Sequence, residues 1–194
     1  MSGSPIPRLM TSMPAFFFAV AFAAGRPRGR DPFDAIPLLS APALFAWGAA
    51  AAGARQYGDA LDGAVDGGLL SIQDAFDRTY VPIPGYDWGN KPKFHTRYDV
   101  VTDFLVLRMQ DTLVQQGDLI FAIGVDDHGY IPTHNGKFLK PVTGDPAKDL
   151  EGHRGKVLAN YPVGLAAATN LEPALVQVYR RDTGQTVWDV SAPI

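Results

Sequence analysis

The residues of this chain best suited to bind a small molecule are His134 and Asn135, which close the polar stretch that follows the apolar run 119–125. An imidazole beside a carboxamide can both donate hydrogen bonds to a small polar ligand and accept them from it. Tyr130 adds an aromatic ring that suits a core and a hydroxyl that requires a hydrogen-bond partner. We therefore treat Tyr130, His134 and Asn135 as candidate ligand-binding residues.

The same pair also has a structural interpretation. Asn135-Gly136 is a turn signal, and His134 could serve only to hydrogen-bond a neighbouring loop. Because local turn chemistry explains such residues without a ligand, the structural interpretation of this pair is slightly favoured.

Arg180 is the candidate for holding an anion. Alternation along a predicted strand puts Arg180 on the face that carries the strand's valines, and Arg181 on the opposite, solvated face. Arg180 could then bind a ligand carboxylate in a bidentate pair, with Trp188 across the hairpin as an apolar floor. The alternative for Arg180, equally favoured, is an ion pair at the rim of the sheet, with Asp182 or Asp189.

The chain's four histidines do not have the spacing of a metal site. His128 and His134 share a strand face by parity, but the extended chain between them spans about 20 Å, too far for one ion. We therefore expect no metal and no cofactor, with a noncovalent haem on one axial histidine as the alternative. The absence of cysteine from the sequence excludes a disulfide framework and covalently attached c-type haem.

Enzyme motifs are missing from the sequence, which has no Gly-x-Ser-x-Gly, no phosphate-binding glycine loop and no cysteine nucleophile. We expect a protein that is not an enzyme. One alternative is a small acid–base enzyme with a cup-shaped α+β fold, built on Asp126 or Asp127 with His134. Another is a ligand-free interaction module. The net charge of −3 gives no broad basic field, so nucleic acid is not an expected partner.

Hydrophobic periodicity predicts the helices that must position these residues. Apolar residues at every fourth position indicate a helix from Arg55 that breaks at Gly67-Gly68, and Ser71 begins a short second helix. The clearest helix is 97–116, with Gly117 as its C-cap. The loop 80–94 carries Tyr86 and Trp88 and is predicted to be functional because it is long and aromatic.

The strands follow these helices. The uncharged run 119–125 is typical of a strand covered on both faces, and Gly129 can supply the positive φ of a turn into a second, polar strand. The segments 175–181 and 186–191 predict another hairpin. Together the elements predict an α+β fold, an antiparallel sheet with flanking N-terminal helices.

Four sequence blocks in one order resemble the sensor region of bacterial methyl-accepting chemotaxis proteins. They are D-x-x-G-Y-x-P-T-H-N at 126–135, T-G-D-P at 143–146, Y-R-R-D-T-G at 179–184 and D-V-S-A-P-I at 189–194. The likeness extends from about residue 57 to the end of the sequence.

This resemblance implies a Cache/PAS-like sensor domain that acts in signal transduction and chemotaxis. Its implied ligand is a small molecule, one with an anionic group if Arg180 binds it. Its implied protein partners are the signalling helices of a receptor or a second copy of the domain.

The sequence departs from the family in two places. The stretch 153–157 is less basic than in the family, so we expect any anion site there to be weakened. The family also continues past S-A-P-I into another aromatic, glycine-rich strand, whereas this sequence ends at Ile194. We therefore expect a fragment whose sheet lacks its last strand and exposes an edge beside 186–194.

The N-terminal part has a different composition, with apolar runs at 13–25 and 35–54 on either side of an arginine-rich stretch. Residues 1–54 are therefore interpreted as an Ala/Pro-rich leader or a membrane segment, and residues 55–194 as the sensor domain. The protein would be membrane-associated if 35–54 spans a bilayer, and cytoplasmic otherwise.

Overall fold

A computed structural model describes residues 16–23, 41–84 and 91–194 of the chain. The strands are β1 (Phe16–Ala23), β2 (Val81–Pro82), β3 (Phe94–His95), β4 (Leu119–Asp126), β5 (Tyr130–Ile131), β6 (Val157–Leu158), β7 (Leu175–Arg180) and β8 (Thr186–Pro193). The α-helices are α1 (Ala41–Asp66), α2 (Ile72–Ala75), α3 (Asp99–Val101), α4 (Leu107–Gln115), α5 (Pro146–Gly152) and α6 (Pro162–Ala168). A π-helical turn, Thr102–Val106, joins α3 to α4, and a 3₁₀ turn spans Gly136–Phe138.

The predicted α+β class is confirmed. An antiparallel sheet in the order β4-β1-β8-β7 is the centre of the fold, and the short strands form two separate pairs, β2 with β3 and β5 with β6. The predicted helix 97–116 appears as the continuous segment α3 to α4, and Ser71 caps α2 by accepting a hydrogen bond from the Asp74 N–H at 3.0 Å.

The first strand corrects the expected division of the chain at residue 54. β1 is an inner strand, paired with β4 from Phe16 opposite Asp126 and with β8 from Phe17 opposite Pro193. The helix α1 runs without a break through the expected boundary. An apolar run of this length has the composition of a leader and of a buried strand alike, so composition alone could not separate them.

The expected exposed edge beside 186–194 is also corrected. β8 has hydrogen-bonded neighbours on both sides, β1 and β7, so the edge beside 186–194 is covered. The position beside β8 is filled by β1, a strand from far earlier in the chain.

The predicted hairpin after the run 119–125 forms only in part. Gly129 has a φ of 85° and its N–H donates to the Asp126 carbonyl at 2.9 Å, which gives the expected turn. The residues after the turn, however, pair with β6 instead of β4. The turn signal fixed the reversal of the chain but carried no information about the partner strand.

One face of the sheet, which we call the helix face, is closed by α1 and, beside β4, by α4. Small residues of α1 let the helix approach closely, and a Cβ added at Gly53 would lie 2.1 Å from the Phe18 ring. Tyr57 packs against Phe16 and against Phe18, at 5.7 Å and 6.4 Å between ring centroids. None of the helices that the structure describes is long and apolar enough to cross a membrane.

The opposite face, which we call the outer face, carries the alternate residues of the same strands. Its buried apolar side chains include Phe17, Phe121, Ile123 and Val187. The connector between β5 and β7 lies over this face and contains only short elements, which are the 3₁₀ turn, α5, β6 and α6.

Candidate functional site

A cavity of about 870 Å³ lies between the outer face of the sheet and the connector. Its apolar wall combines sheet residues with residues of β5, β6 and α6: Phe121, Ile123, Ile131, Val157, Leu158 and Val163. Its charged residues are Lys91, Lys93, Arg154, Arg180, Arg181, Asp149 and Asp182. A cavity with an apolar wall and a few convergent charged groups is the usual form of a small-molecule site.

Arginines cover the aromatic part of the cavity. The Arg181 guanidinium lies over the rings of Phe121 and Phe138, at 5.8 Å and 5.6 Å from their centroids. Arg154 lies over Phe138 at 5.9 Å. Among the residues that the structure describes, the buried Nε of Arg154 has no hydrogen-bond partner.

Lys93 supplies a third cation and is buried. Its Nζ donates to the carbonyls of His153 at 2.7 Å and Gly155 at 2.8 Å. Burial, with the nearby charges of Lys91 and Arg154, lowers the pKa of Lys93 to about 8. Burial and the charge of Arg154 likewise lower the pKa of Arg181.

These cations destabilise one another, because each one raises the cost of holding a positive charge beside it. An anion placed among them would relieve that repulsion. The cavity is therefore electrostatically suited to an anion, and the basic residues involved are Arg154, Arg181 and Lys93.

His134 lies on the cavity wall, as a candidate ligand-binding residue should. The Asn135 N–H donates to His134 Nδ1 at 2.8 Å, and the ring packs edge-on against Phe121 and Phe138. Burial, reinforced by Arg154 and other nearby cations, holds the pKa of His134 well below its usual value. The ring is therefore neutral and carries its proton on Nε2, which makes it a hydrogen-bond donor.

The side chain of Asn135 makes structural hydrogen bonds within the fold. Its Oδ1 accepts from the Ala122 N–H at 2.8 Å and its Nδ2 donates to Asp111 at 3.2 Å. The side chain is fully buried and does not line the cavity. It satisfies a backbone group on the edge of β4 that faces away from β1, and it ties that edge to α4.

Tyr130 and Trp188 also lie outside the cavity lining. The Tyr130 hydroxyl finds its expected partner by donating to the Phe94 carbonyl at 2.8 Å, within the helix-face core. Trp188 stacks on Phe22 in the same core, with 6.4 Å between ring centroids. Both residues support the fold on the side of the sheet opposite the cavity.

Arg180 lies at the rim of the cavity, and its ligand-binding role stays a prediction. Its side chain is exposed, and its Nε donates to the Gly184 carbonyl at 3.0 Å in the β7–β8 turn. The valine face of β7 packs towards α1, as Val178 shows, whereas Tyr179 packs on the outer face. Strand alternation correctly predicted that the two arginines lie on opposite faces. The cavity, however, lies on the face without valines, so Arg181 is the arginine that lies over the cavity.

The stretch 153–157 contributes more than expected. Arg154 lies in it and is one of the central cations of the cavity. Lys91 and Lys93 were missed because they lie in an irregular segment with no periodic signal. The expectation that Tyr86 and Trp88 take part lies outside the described residues.

The acid–base pair considered for an enzyme is not brought together. Asp126 is fully buried and accepts hydrogen bonds from the hydroxyls of Tyr80 and Tyr98, each at 2.8 Å. Asp127 pairs with Arg78. Neither aspartate lines the cavity that His134 faces.

Within the described parts of the chain, no group of three His, Asp or Glu side chains could hold a metal ion. The comparisons with known proteins return nothing: no family model, no curated protein and no solved structure matches this chain.

Proposed function

We propose that this protein is a ligand-sensing domain that binds a small anionic molecule in the outer-face cavity. The observation that carries this proposal is the convergence of Lys93, Arg154 and Arg181 on one cavity with an apolar floor. A structural role alone does not account for Lys93 and Arg181 lying beside Arg154, whose charge contributes to lowering the pKa of both.

The existence of the cavity also favours ligand binding over a ligand-free interaction module. Such a module would fill the space between sheet and connector with its own side chains. Here a volume of about 870 Å³ stays open between them.

We further propose a Cache/PAS-like arrangement, related to the sensor region of methyl-accepting chemotaxis proteins. That resemblance expects one more strand beside 186–194, and β1 lies in this position. The N-terminal strand β1 would then pair with β8 in place of the strand expected at the C-terminal side.

The β8 strand offers a route by which ligand occupancy could reach a partner. At its end the Ile194 N–H donates to the Phe16 carbonyl at 2.9 Å, and Ile194 lies against Gly58 of α1. A shift of β8 would therefore displace α1, and the proposed recipient of that displacement is a receptor's signalling helices or a second copy of the domain.

A thermal-shift screen of the full chain tests the anion site. The panel is acetate, benzoate, succinate and inorganic phosphate, each as the sodium salt at constant ionic strength. Because a ligand that binds only the folded state stabilises it, at least one anion should raise the melting temperature.

The matched variants are Arg181→Ala and Arg108→Ala, which remove the same charge from the cavity and from an exposed position of α4 outside its lining. The stabilisation by the anion should be lost in Arg181→Ala and kept in Arg108→Ala. Equal loss in both variants, or no stabilisation of the wild-type chain by any anion, would contradict the proposal.

A further inference from the structure

We propose that the cavity is built for a monocarboxylate with an apolar body, and that the ligand's carboxylate takes the place of the Asp182 carboxylate on Arg154 and Lys91. This inference rests on the proposed anion-binding function and adds the ligand class and a means of regulation.

Asp182 already holds a carboxylate against the cations at the rim of the cavity. It accepts hydrogen bonds from Arg154 Nη2 at 2.8 Å, from Arg154 Nη1 at 3.3 Å and from Lys91 Nζ at 2.5 Å. Burial alone would raise the pKa of Asp182, but these bonds outweigh it and hold that pKa far below its usual value. The bidentate geometry is the one that arginine uses for any carboxylate.

Among the described residues of the cavity lining, the other acid is Asp149, whose hydrogen bonds lie elsewhere. Asp149 accepts from the Thr143 N–H and hydroxyl, each at 2.8 Å, and from the Gly144 N–H at 3.0 Å. Asp182 is therefore the carboxylate with which an incoming anion must compete.

The rest of the wall sets the class of ligand. Beyond the rim, the cavity is floored by Phe121, Ile123 and Leu158. A second charge buried against Ile123 and Leu158 would lose its hydration, and these apolar side chains offer it no partner. An aryl or branched aliphatic monocarboxylate meets both requirements, with its charge at the rim and its body on the floor.

Asp182 is placed so that it can leave. Its side chain is 29% exposed, and it belongs to the β7–β8 turn, which is closed by the Gly184 N–H donating to the Arg181 carbonyl at 2.8 Å. When the ligand's carboxylate replaces it, Asp182 turns to solvent and the turn loses its ion pairs to the segments that carry Lys91 and Arg154. Ligand binding in the cavity thereby releases the turn that precedes β8.

The two carboxylates exclude each other, so the internal one lowers the apparent affinity for the external one. Calorimetric titration of benzoate into the full chain tests this, with Asp182→Asn as the variant. That substitution removes the competing charge while keeping the shape of the side chain, and benzoate should bind about tenfold more tightly.

The control variant is Asp118→Asn, which makes the same change of charge at another exposed site. It should leave the benzoate affinity within about twofold of the wild-type value, since exposed charges at a distance are screened by salt. The control ligands are benzamide, the neutral analogue of benzoate, and succinate. The affinity of benzamide should not respond to Asp182→Asn, and succinate should bind the wild-type chain more weakly than benzoate.

A second measurement uses the unmutated protein, in case Asp182→Asn fails to fold. In ¹H–¹⁵N spectra, benzoate should shift the backbone signals of residues 182–185 as the turn is released. Bound benzoate with unmoved turn signals would overturn the displacement.

The remaining outcomes separate the two proposals. If benzoate binds the wild-type chain but binds Asp182→Asn equally or less well, the displacement is wrong while the anion site stands. If succinate binds more tightly than benzoate, the ligand class is wrong. If no anion binds either protein, the proposed function fails and this inference fails with it.

Discussion

The helix face and the outer face of the sheet are formed by alternate residues of the same strands, yet only one of them is filled. Phe18 points to the helix face and meets Tyr57 of α1, whereas its neighbour Phe17 belongs to the outer-face cluster. Both faces are apolar, as the unbroken hydrophobic sequence of β1 requires. The difference therefore arises from what lies over each face.

The long helix α1, together with α4 beside β4, closes the helix face. The surface that α1 turns to the sheet is rich in small residues, such as Ala50, Gly53 and Ala54, so the helix can approach until aromatic rings fill the remaining space. The connector over the outer face consists of short elements that cannot pack along the strands in this way. The space that it leaves is lined by arginine and lysine, so one face stabilises the fold and the other is available for a ligand.

The largest expected effect is the loss of folding when residues 1–54 are deleted. The deletion removes an inner strand and the first half of α1, so β4 and β8 lose their shared partner. The fragment 55–194 should show neither a cooperative thermal transition nor the circular dichroism of the full chain. A fragment that melts cooperatively near the full chain's temperature would contradict the placement of β1.

The next effect concerns a carboxyl group on the outer face. Asp189 is buried opposite Gln177 of β7, and burial, only partly offset by a hydrogen bond from Gln177, raises the pKa of Asp189 to about 7. The unfolded value is about 4, so the folded state binds the proton more tightly. The resulting stabilisation is complete below about pH 4 and is lost as the pH rises to about 7.

Asp189→Asn should abolish this dependence. The free energy of unfolding of both proteins can be measured by chemical denaturation between pH 4 and 8. Relative to the variant, the wild-type value should fall by a few kcal/mol over roughly the window from pH 4 to 7. At pH 8 the variant should be the more stable protein. Parallel curves for the two proteins would show that Asp189 is ionised in the folded state.

A matched pair of glycines in α1 measures how tightly the helix face is packed. A Cβ at Gly53 would meet the Phe18 ring at 2.1 Å, whereas a Cβ at Gly63 meets nothing within 4 Å. Gly53→Ala should destabilise the protein by about 1–3 kcal/mol through overpacking. Gly63→Ala should stabilise it by about 0.5–1 kcal/mol, because alanine favours a helix. Equal effects of the two substitutions in urea denaturation would mean that α1 does not contact β1.

The smallest effect is expected at His134. If the neutral ring donates one hydrogen bond to the bound anion, His134→Ala should weaken binding by about 0.5–1.5 kcal/mol, with more lost to a charged ligand group. Since the pKa of His134 is held well below its usual value, the affinity should show no histidine titration between pH 5.5 and 8. His128→Ala is the control, because His128 is exposed and lies outside the cavity lining. A titration step near pH 6.5 that disappears in His134→Ala would contradict the buried neutral ring.

The sequence by itself determined the elements whose signals lie within a few residues. Asp145 and Pro146 begin α5, with the Asp145 side chain accepting from the Ala147 N–H at 3.0 Å. Gly184 has a φ of 83° and reverses the chain between β7 and β8. These features depend on the conformational limits of individual residues and on hydrogen bonds between near neighbours. Both are determined by residues that are adjacent in the sequence.

Only the tertiary structure decided which strands pair and which face stays open. Phe16 and Asp126 are opposite each other in the sheet although they are far apart in the chain, and nothing in either segment specifies the other. Alternation placed Arg180 and Arg181 on different faces, but the choice between them depended on where α1 packs. Lys91, Arg154 and Asp182 come from three separate segments and meet only because the folded sheet and connector bring them together. Long-range contacts of this type are fixed by packing and by the exclusion of water over the whole chain, so no local pattern records them.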